Sequence, residues 1–233
     1  MKRLVDLLVA STGLILLAPF LIVVLVVIWS SEFCSPFYFS SRVGKDGNLF
    51  NMVKFRSMFV NADKSGVSST SINDPRITPV GHFIRKYKID EVTQLWNVLV
   101  GEMSLVGPRP QVLSNVKLYT DAEKRLLKVS PGITDFASIV FSDEGEILKN
   151  SQNPDLDYNK LIRPWKSRLG LVYVDNKNPL IDTRLIVLTV ISVFFRKQAL
   201  KGVQKILNEL NAEESIVRIS TRQDKLLPTT LPE

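Results

Sequence analysis

The stretch RITPVGHFIRKYKIDEVTQLWNVLVGEMSLVGPRP, residues 76–110, decides how this chain is read. It holds an adjacent acid pair, Asp90 and Glu91, among the arginines Arg76, Arg85 and Arg109. Paired carboxylates can hold a divalent metal or supply a nucleophile. Converging arginines suit phosphate oxygens, because the planar guanidinium fork matches them. Val92, Leu95, Trp96 and Leu99 recur at helical spacing, which predicts a helix over 89–100 with Asp90 at its cap or first turn. A helix N-terminus keeps a carboxylate ionised and attracts anions. The same residues also read as a plain cap with a dipole-friendly neighbour, and spacing alone leaves both readings open.

Outward from this stretch, residues 107–110 form a rigid Gly-Pro-Arg-Pro turn that restricts the backbone at Arg109. Upstream, residues 37–58 read as a β-hairpin around Asp46-Gly47. Lys54 and Arg56 lie two apart on its second strand and so share a face. Residues 61–74 are polar and serine-rich, a loop. Downstream, 121–129 reads as a short basic helix and 130–134 as a tight turn. Residues 144–178 are mixed and polar, with Tyr158, Trp165 and Tyr173 as scattered anchors. The apolar part after Arg184 is too short to span a bilayer, which leaves a buried or an interfacial helix. Residues 201–215 read as an amphipathic helix with Val203, Ile206, Leu207 and Leu210 on one side, followed by a loose tail.

The N-terminus is different in kind. No charge occurs from residue 7 to residue 29, long enough for a bilayer crossing of about 20 residues. Lys2 and Arg3 precede this run and favour a cytoplasmic N-terminus. Pro19 removes a backbone donor near its middle and predicts a kink. Composition favours a straight span over a helix that turns back within one leaflet.

The net charge of +7 favours anionic partners: lipid headgroups, nucleic acid or nucleotide diphosphates. A single cysteine, Cys34, excludes an intramolecular disulfide, and a single histidine, His82, stands in no nucleophile elbow. Two other classes fit the charge and the apolar helix: a membrane-anchored nucleic-acid-binding protein and an envelope scaffolding protein. No nucleic-acid motif is present, so no nucleic acid is expected as partner.

Several motifs run in one order: KRLVD at 2–6, RVGKDGNLF followed by KFRSM at 54–58, DPRITPVG at 74–81, the dyad stretch from 90 to 110, and PGIT at 131–134. In these the chain resembles the bacterial sugar transferases, monotopic phosphoglycosyl transferases that start glycan assembly on a lipid carrier. The resemblance covers most of 2–197. It implies an α+β, mostly helical fold: a kinked, re-entrant membrane helix over 1–30, a compact cytoplasmic catalytic domain with a small β-hairpin over 31–197, and a C-terminal extension over 198–233. It reverses the preference for a straight span, because nucleotide sugars are cytoplasmic. It implies a nucleotide-sugar donor, usually UDP-linked, a polyprenyl phosphate acceptor, and Asp90 as nucleophile with Glu91 in support. Mg²⁺ on Asp90 and Glu91 goes with it. Lys54, Arg56, Arg76, Arg85, Gln94, Asn97 and Arg109 are then candidates for holding substrate, with membrane lipids as partners. The family often has Ser-Pro at the kink, whereas here Ala18 precedes Pro19. The amphipathic stripe in the extension leaves homodimer pairing open.

Overall fold

The N-terminal apolar run forms one helix, α1 (Lys2–Glu32), with Pro19 inside it. This is seen in a computed structural model that describes residues 2–67 and 69–233, so Ser68 of the predicted 61–74 loop lies outside the described residues. The helix is long and apolar enough to cross a membrane. Its middle is bare: Ile15, Leu16, Ile22 and Val23 are all at least 60% exposed. Its ends are not. Lys2 donates to the Val106 carbonyl (3.0 Å) and to Asp182 (2.6 Å). Arg3 donates to the Val98 and Leu99 carbonyls. Asp6, buried, accepts from Ser104 Oγ (2.9 Å) and the Leu105 N–H (3.1 Å). At the other end Leu21, Val24, Leu25 and Ile28 pack with Phe55, Ile84 and Ile89. The KRLVD motif is thus a set of polar clamps, and one domain grips both ends of the helix.

The predicted hairpin forms. β1 (Phe37–Val43) pairs antiparallel with β2 (Leu49–Phe55), with Tyr38 opposite Lys54 and Arg42 opposite Phe50. Asp46 (φ 54°) and Gly47 (φ 86°) supply the left-handed turn that the Asp-Gly pair forecasts. α2 (Pro79–Lys86) follows, capped by the Thr78 hydroxyl, which accepts from the Gly81 N–H (2.9 Å). The helix predicted over 89–100 is split: a 3₁₀ turn (Ile89–Gln94) feeds α3 (Leu95–Val100).

Residues 130–134 are not simply a turn. β3 (Ser104–Val106) and β4 (Gly132–Thr134) form a short parallel ladder, registering Ser104 on Gly132 and Val106 on Thr134. Three-residue strands flanked by Pro and Gly are too short to show alternation. A Cβ on Gly132 would stand 2.0 Å from the Gly107 nitrogen, so the two backbones meet only because both residues are glycine.

The rest is helical: α4 (Leu113–Val116), α5 (Asp121–Lys124), α6 (Phe136–Val140), α7 (Glu144–Ile147), α8 (Pro154–Asp157), a π turn (Tyr158–Ile162), α9 (Arg163–Asn176), α10 (Pro179–Phe194), α11 (Arg196–Glu209) and α12 (Glu214–Ser220). α9 was hidden by Pro164, Gly170 and a mixed polar face. Phe136, Leu169, Tyr173, Leu185, Val203, Ile206 and Leu207 form the core that α6 and α9–α11 share. Val203, Ile206 and Leu207 of the α11 stripe are therefore buried within this chain. The tail is tied as well: Thr120 Oγ1 donates to the Pro232 carbonyl and Arg168 to that of Thr230, both at 2.7 Å. α10 divides its apolar residues. Ile181 and Leu185 are buried, while Leu180, Val187, Val190 and Phe194 form an exposed stripe.

Candidate active site

Lys88 sets the site up. Its φ of 55° reverses the chain after α2 and starts the 3₁₀ turn. Ile89 then anchors in the apolar cluster that contains Ile28 of α1. Thr93 ties the turn to the hairpin by donating to the Val53 carbonyl (3.0 Å). Asp90 and Glu91 fall in the first turn, with Lys88 rather than Asp90 at the cap position. The first turn of a helix favours acidic side chains through its dipole.

The two carboxylates have different surroundings. Asp90 is buried, and its carboxylate makes no hydrogen bond or ion pair among the described residues. Burial pushes its pKa up, opposed by Lys54 and reinforced by Glu91 alongside. Glu91 is clamped: Arg109 donates to Oε1 at 2.5 Å, and Lys54 Nζ stands 3.9 Å from the same oxygen. Burial acts against its charge, but Arg109, Lys54 and Lys88 outweigh it and hold Glu91 well below the usual carboxylate range. So neighbouring acids are pushed apart, one fixed as an anion and one left unengaged. Such divergence marks division of labour between paired acids.

The cations are crowded as well. Burial, then Arg109, lowers Lys54 to about 8. Burial, then Arg109, also lowers Arg42 to about 10, and its buried Nε has no hydrogen-bond partner among the described residues. Lys88 is lowered mainly by burial. Desolvated cations pressed together are matched to a ligand with several negative charges.

The sequence-predicted residues divide. Lys54, Arg85 and Arg109 all act on the charge of Asp90. Gln94 is fully buried one turn beyond Asp90, and neither the nitrogen nor the oxygen of its amide has a hydrogen-bond partner among the described residues. Arg56 instead donates to the Ser35 (2.7 Å) and Phe37 (3.1 Å) carbonyls at the entry to the hairpin. Arg76 holds Asp74 through two bonds and reaches the Ala62, Val67 and Ser69 carbonyls, so it staples the 61–69 loop. Asn97 braces the hairpin: it accepts from the Val53 N–H (2.9 Å) and donates to the Asn51 carbonyl (2.8 Å). Sequence reading missed Arg42 and Lys88. The hairpin register carried a signal for Arg42, since Tyr38 and Arg42 lie four apart on β1 and share the face of Lys54.

No group of three or more His, Cys, Asp or Glu side chains suited to a metal occurs among the described residues. A Mg²⁺ shared with phosphate needs only one or two carboxylates. The unpartnered oxygens of buried Asp90 fit that need.

Fold and site together define a domain clamped to a long apolar helix, presenting one free and one locked carboxylate in a cationic cradle. A family profile described as bacterial sugar transferase matches residues 1–196, and the chain belongs to that family. The UDP-glucose:undecaprenyl-phosphate glucose-1-phosphate transferase of Klebsiella pneumoniae is 35% identical over 203 residues, 85% of this chain and 41% of that protein. The UDP-galactose-lipid carrier transferase of Erwinia amylovora is 40% identical over 149 residues, 58% of this chain and 31% of that protein. The chain thus spans less than half the length of these two relatives. The uncharacterized sugar transferase EpsL of Bacillus subtilis is 34% identical over 214 residues, covering 91% of this chain and 94% of EpsL.

Proposed function

We propose that this chain transfers a sugar 1-phosphate from a nucleotide sugar, UDP-linked, to a polyprenyl phosphate such as undecaprenyl phosphate. The observation that carries this reading is the buried, unpartnered Asp90 carboxylate beside the Arg109-locked Glu91. An Asp90 oxygen attacks the phosphorus that bears the sugar. The bond from that phosphorus to the bridging oxygen breaks, and UMP leaves with the electron pair. The sugar phosphate is then an acyl phosphate on Asp90. An oxygen of the polyprenyl phosphate attacks the same phosphorus, frees the Asp90 carboxylate, and gives a polyprenyl diphosphate sugar. Covalent catalysis divides one difficult displacement into two. Asp90 suits the role because its carboxylate is not engaged by a salt bridge, whereas Glu91 is held by Arg109. Arg109, Lys54, Arg85 and Arg42 offset the charge of the diphosphate. Asp90 and Glu91 would hold Mg²⁺, which supplies further neutralisation of phosphate charge.

The contacts of α1 support a re-entrant anchor. The hydrocarbon core of a bilayer is about 30 Å thick, so a spanning helix has its ends on opposite sides. Here one polar domain holds Lys2–Asp6 and also packs Leu21–Ile28, which favours a helix with both ends on one side. Lys2 and Arg3 favour the cytoplasmic face of the bacterial inner membrane. The exposed stripe of α10 suits the membrane interface.

The test is to incubate the purified chain with UDP-sugar and no lipid, then weigh it intact. A mass gain equal to the sugar phosphate, absent from Asp90→Asn, is expected. UMP release by Asp90→Asn at the wild-type rate sinks the proposal.

A further inference from the structure

Arg109 belongs to two spaces. One edge meets Glu91; the other helps to wall an open cleft, which Tyr119, Asp135, Ser138, Tyr158 and Lys166 also line. The π turn at Tyr158–Ile162 forms part of this wall, and such turns occur often at functional sites.

The cations around this cleft are already neutralised. Arg109 is paired with Glu91, Lys166 with Glu144, and Arg163 with Glu123. The cleft is therefore not a second phosphate trap. What is left unmatched is an acceptor. Asp135 is only 2% exposed. Its Oδ1 accepts from the Ser138 N–H and hydroxyl, both at 2.7 Å, while Oδ2 has no hydrogen-bond partner among the described residues. The Tyr119 and Tyr158 hydroxyls also have none. A carboxylate oxygen without a partner that opens on a cleft is a free acceptor for a ligand's donor. The complementary ligand is neutral and rich in hydroxyls, with a face that lies against an aromatic ring. A sugar ring has these properties.

Position points the same way. In an in-line displacement the leaving nucleotide departs away from the attacking oxygen. The sugar remains on the phosphoryl group held beside the dyad. A cleft that shares Arg109 with the dyad adjoins the place where that phosphoryl group would be held.

We infer that this cleft is the subsite for the sugar ring of the donor, with Asp135 accepting a ring hydroxyl and so deciding which sugar is taken. The inference rests on the phosphoryl-transfer reading above.

The full-length chain in detergent is assayed for UMP release with undecaprenyl phosphate and four donors: UDP-glucose, UDP-galactose, UDP-N-acetylglucosamine and UDP-N-acetylgalactosamine. Asp135→Asn keeps an oxygen to cap α6. It should raise KM for the preferred donor roughly tenfold or more and change the ranking of the four. Inhibition by UMP should stay at its wild-type strength. Tyr158→Phe, which removes one hydroxyl and no packing, should show the same split in milder form and carries the test if Asp135→Asn does not fold. Weakening of UMP inhibition in step with KM would place the nucleotide in the cleft and overturn the inference. Unchanged KM and ranking in both variants would overturn it too. A wild-type chain that releases UMP from no nucleotide sugar would sink the transfer reading itself, and the subsite with it.

Discussion

Arg109→Lys tests the site with the smallest change of charge. The substitution keeps a cation but loses the planar fork that meets Glu91 at 2.5 Å. A charge-assisted hydrogen bond is worth about 1.5–3 kcal/mol. Arg109 is 27% exposed and Glu91 17%, so solvent screening favours the lower half of that range. At about 1.4 kcal/mol per factor of ten, Arg109→Lys should lower kcat/KM roughly 10- to 40-fold. Arg109→Met removes the charge as well and should cost about 10²- to 10³-fold, as the loss of a transition-state donor does. The assay is UMP release under saturating lipid, with thermal unfolding as the check on folding. Repeating both substitutions in a Glu91→Gln background separates two jobs. If Arg109 only orients Glu91, it adds nothing once that charge is gone. If its other donors meet phosphate, a further loss of about tenfold persists. Arg109→Lys with wild-type kcat/KM at an unchanged melting temperature refutes the argument that the fork matters.

Two more expectations follow from the same geometry. Glu123 is fully buried and accepts from Arg163, Ser167 and the Thr120 N–H, so Glu123→Ala strands a buried guanidinium. Breaking such a pair costs about 3–5 kcal/mol, or roughly 6–20 °C in melting temperature for a chain of this size; a shift under about 2 °C would show the pair to be dispensable. Cys34, the single cysteine, follows the end of α1. It should resist a membrane-impermeant thiol reagent in sealed spheroplasts and react once they are opened, whereas labelling from outside would put the domain on the wrong face.

The parts of this molecule that were legible in its sequence share a cause. The Asp-Gly turn, the long uncharged run and the adjacent acids are local signals, and each needs only a few neighbouring residues. Asp90 and Glu91 could be found that way, and so could Arg109 between its prolines. The destinations of long side chains could not. Arg56 and Arg76 lie in motifs as basic as the one around Arg109, yet their forks meet backbone carbonyls of nearby loops. Asn97 looks as suited to a sugar as Gln94, but its amide is engaged by the hairpin. Asp135 escaped notice because a carboxylate before a short helix reads as a cap, and only the fold reveals that its second oxygen is idle. The α11 stripe misled in the opposite direction: amphipathic spacing specifies a buried face without saying whose core it enters.

The packing of Ile89 against Ile28 has a final consequence. Asp90 stands one residue from a contact with α1, so in the proposed reaction the helix would act as a depth gauge as well as a tether. It would set how high above the lipid headgroups the carboxylate rides. A carrier whose phosphate is confined to that plane would then meet it without any search along the membrane normal. Grafting the domain onto an unrelated hydrophobic leader would preserve attachment and lose this calibration.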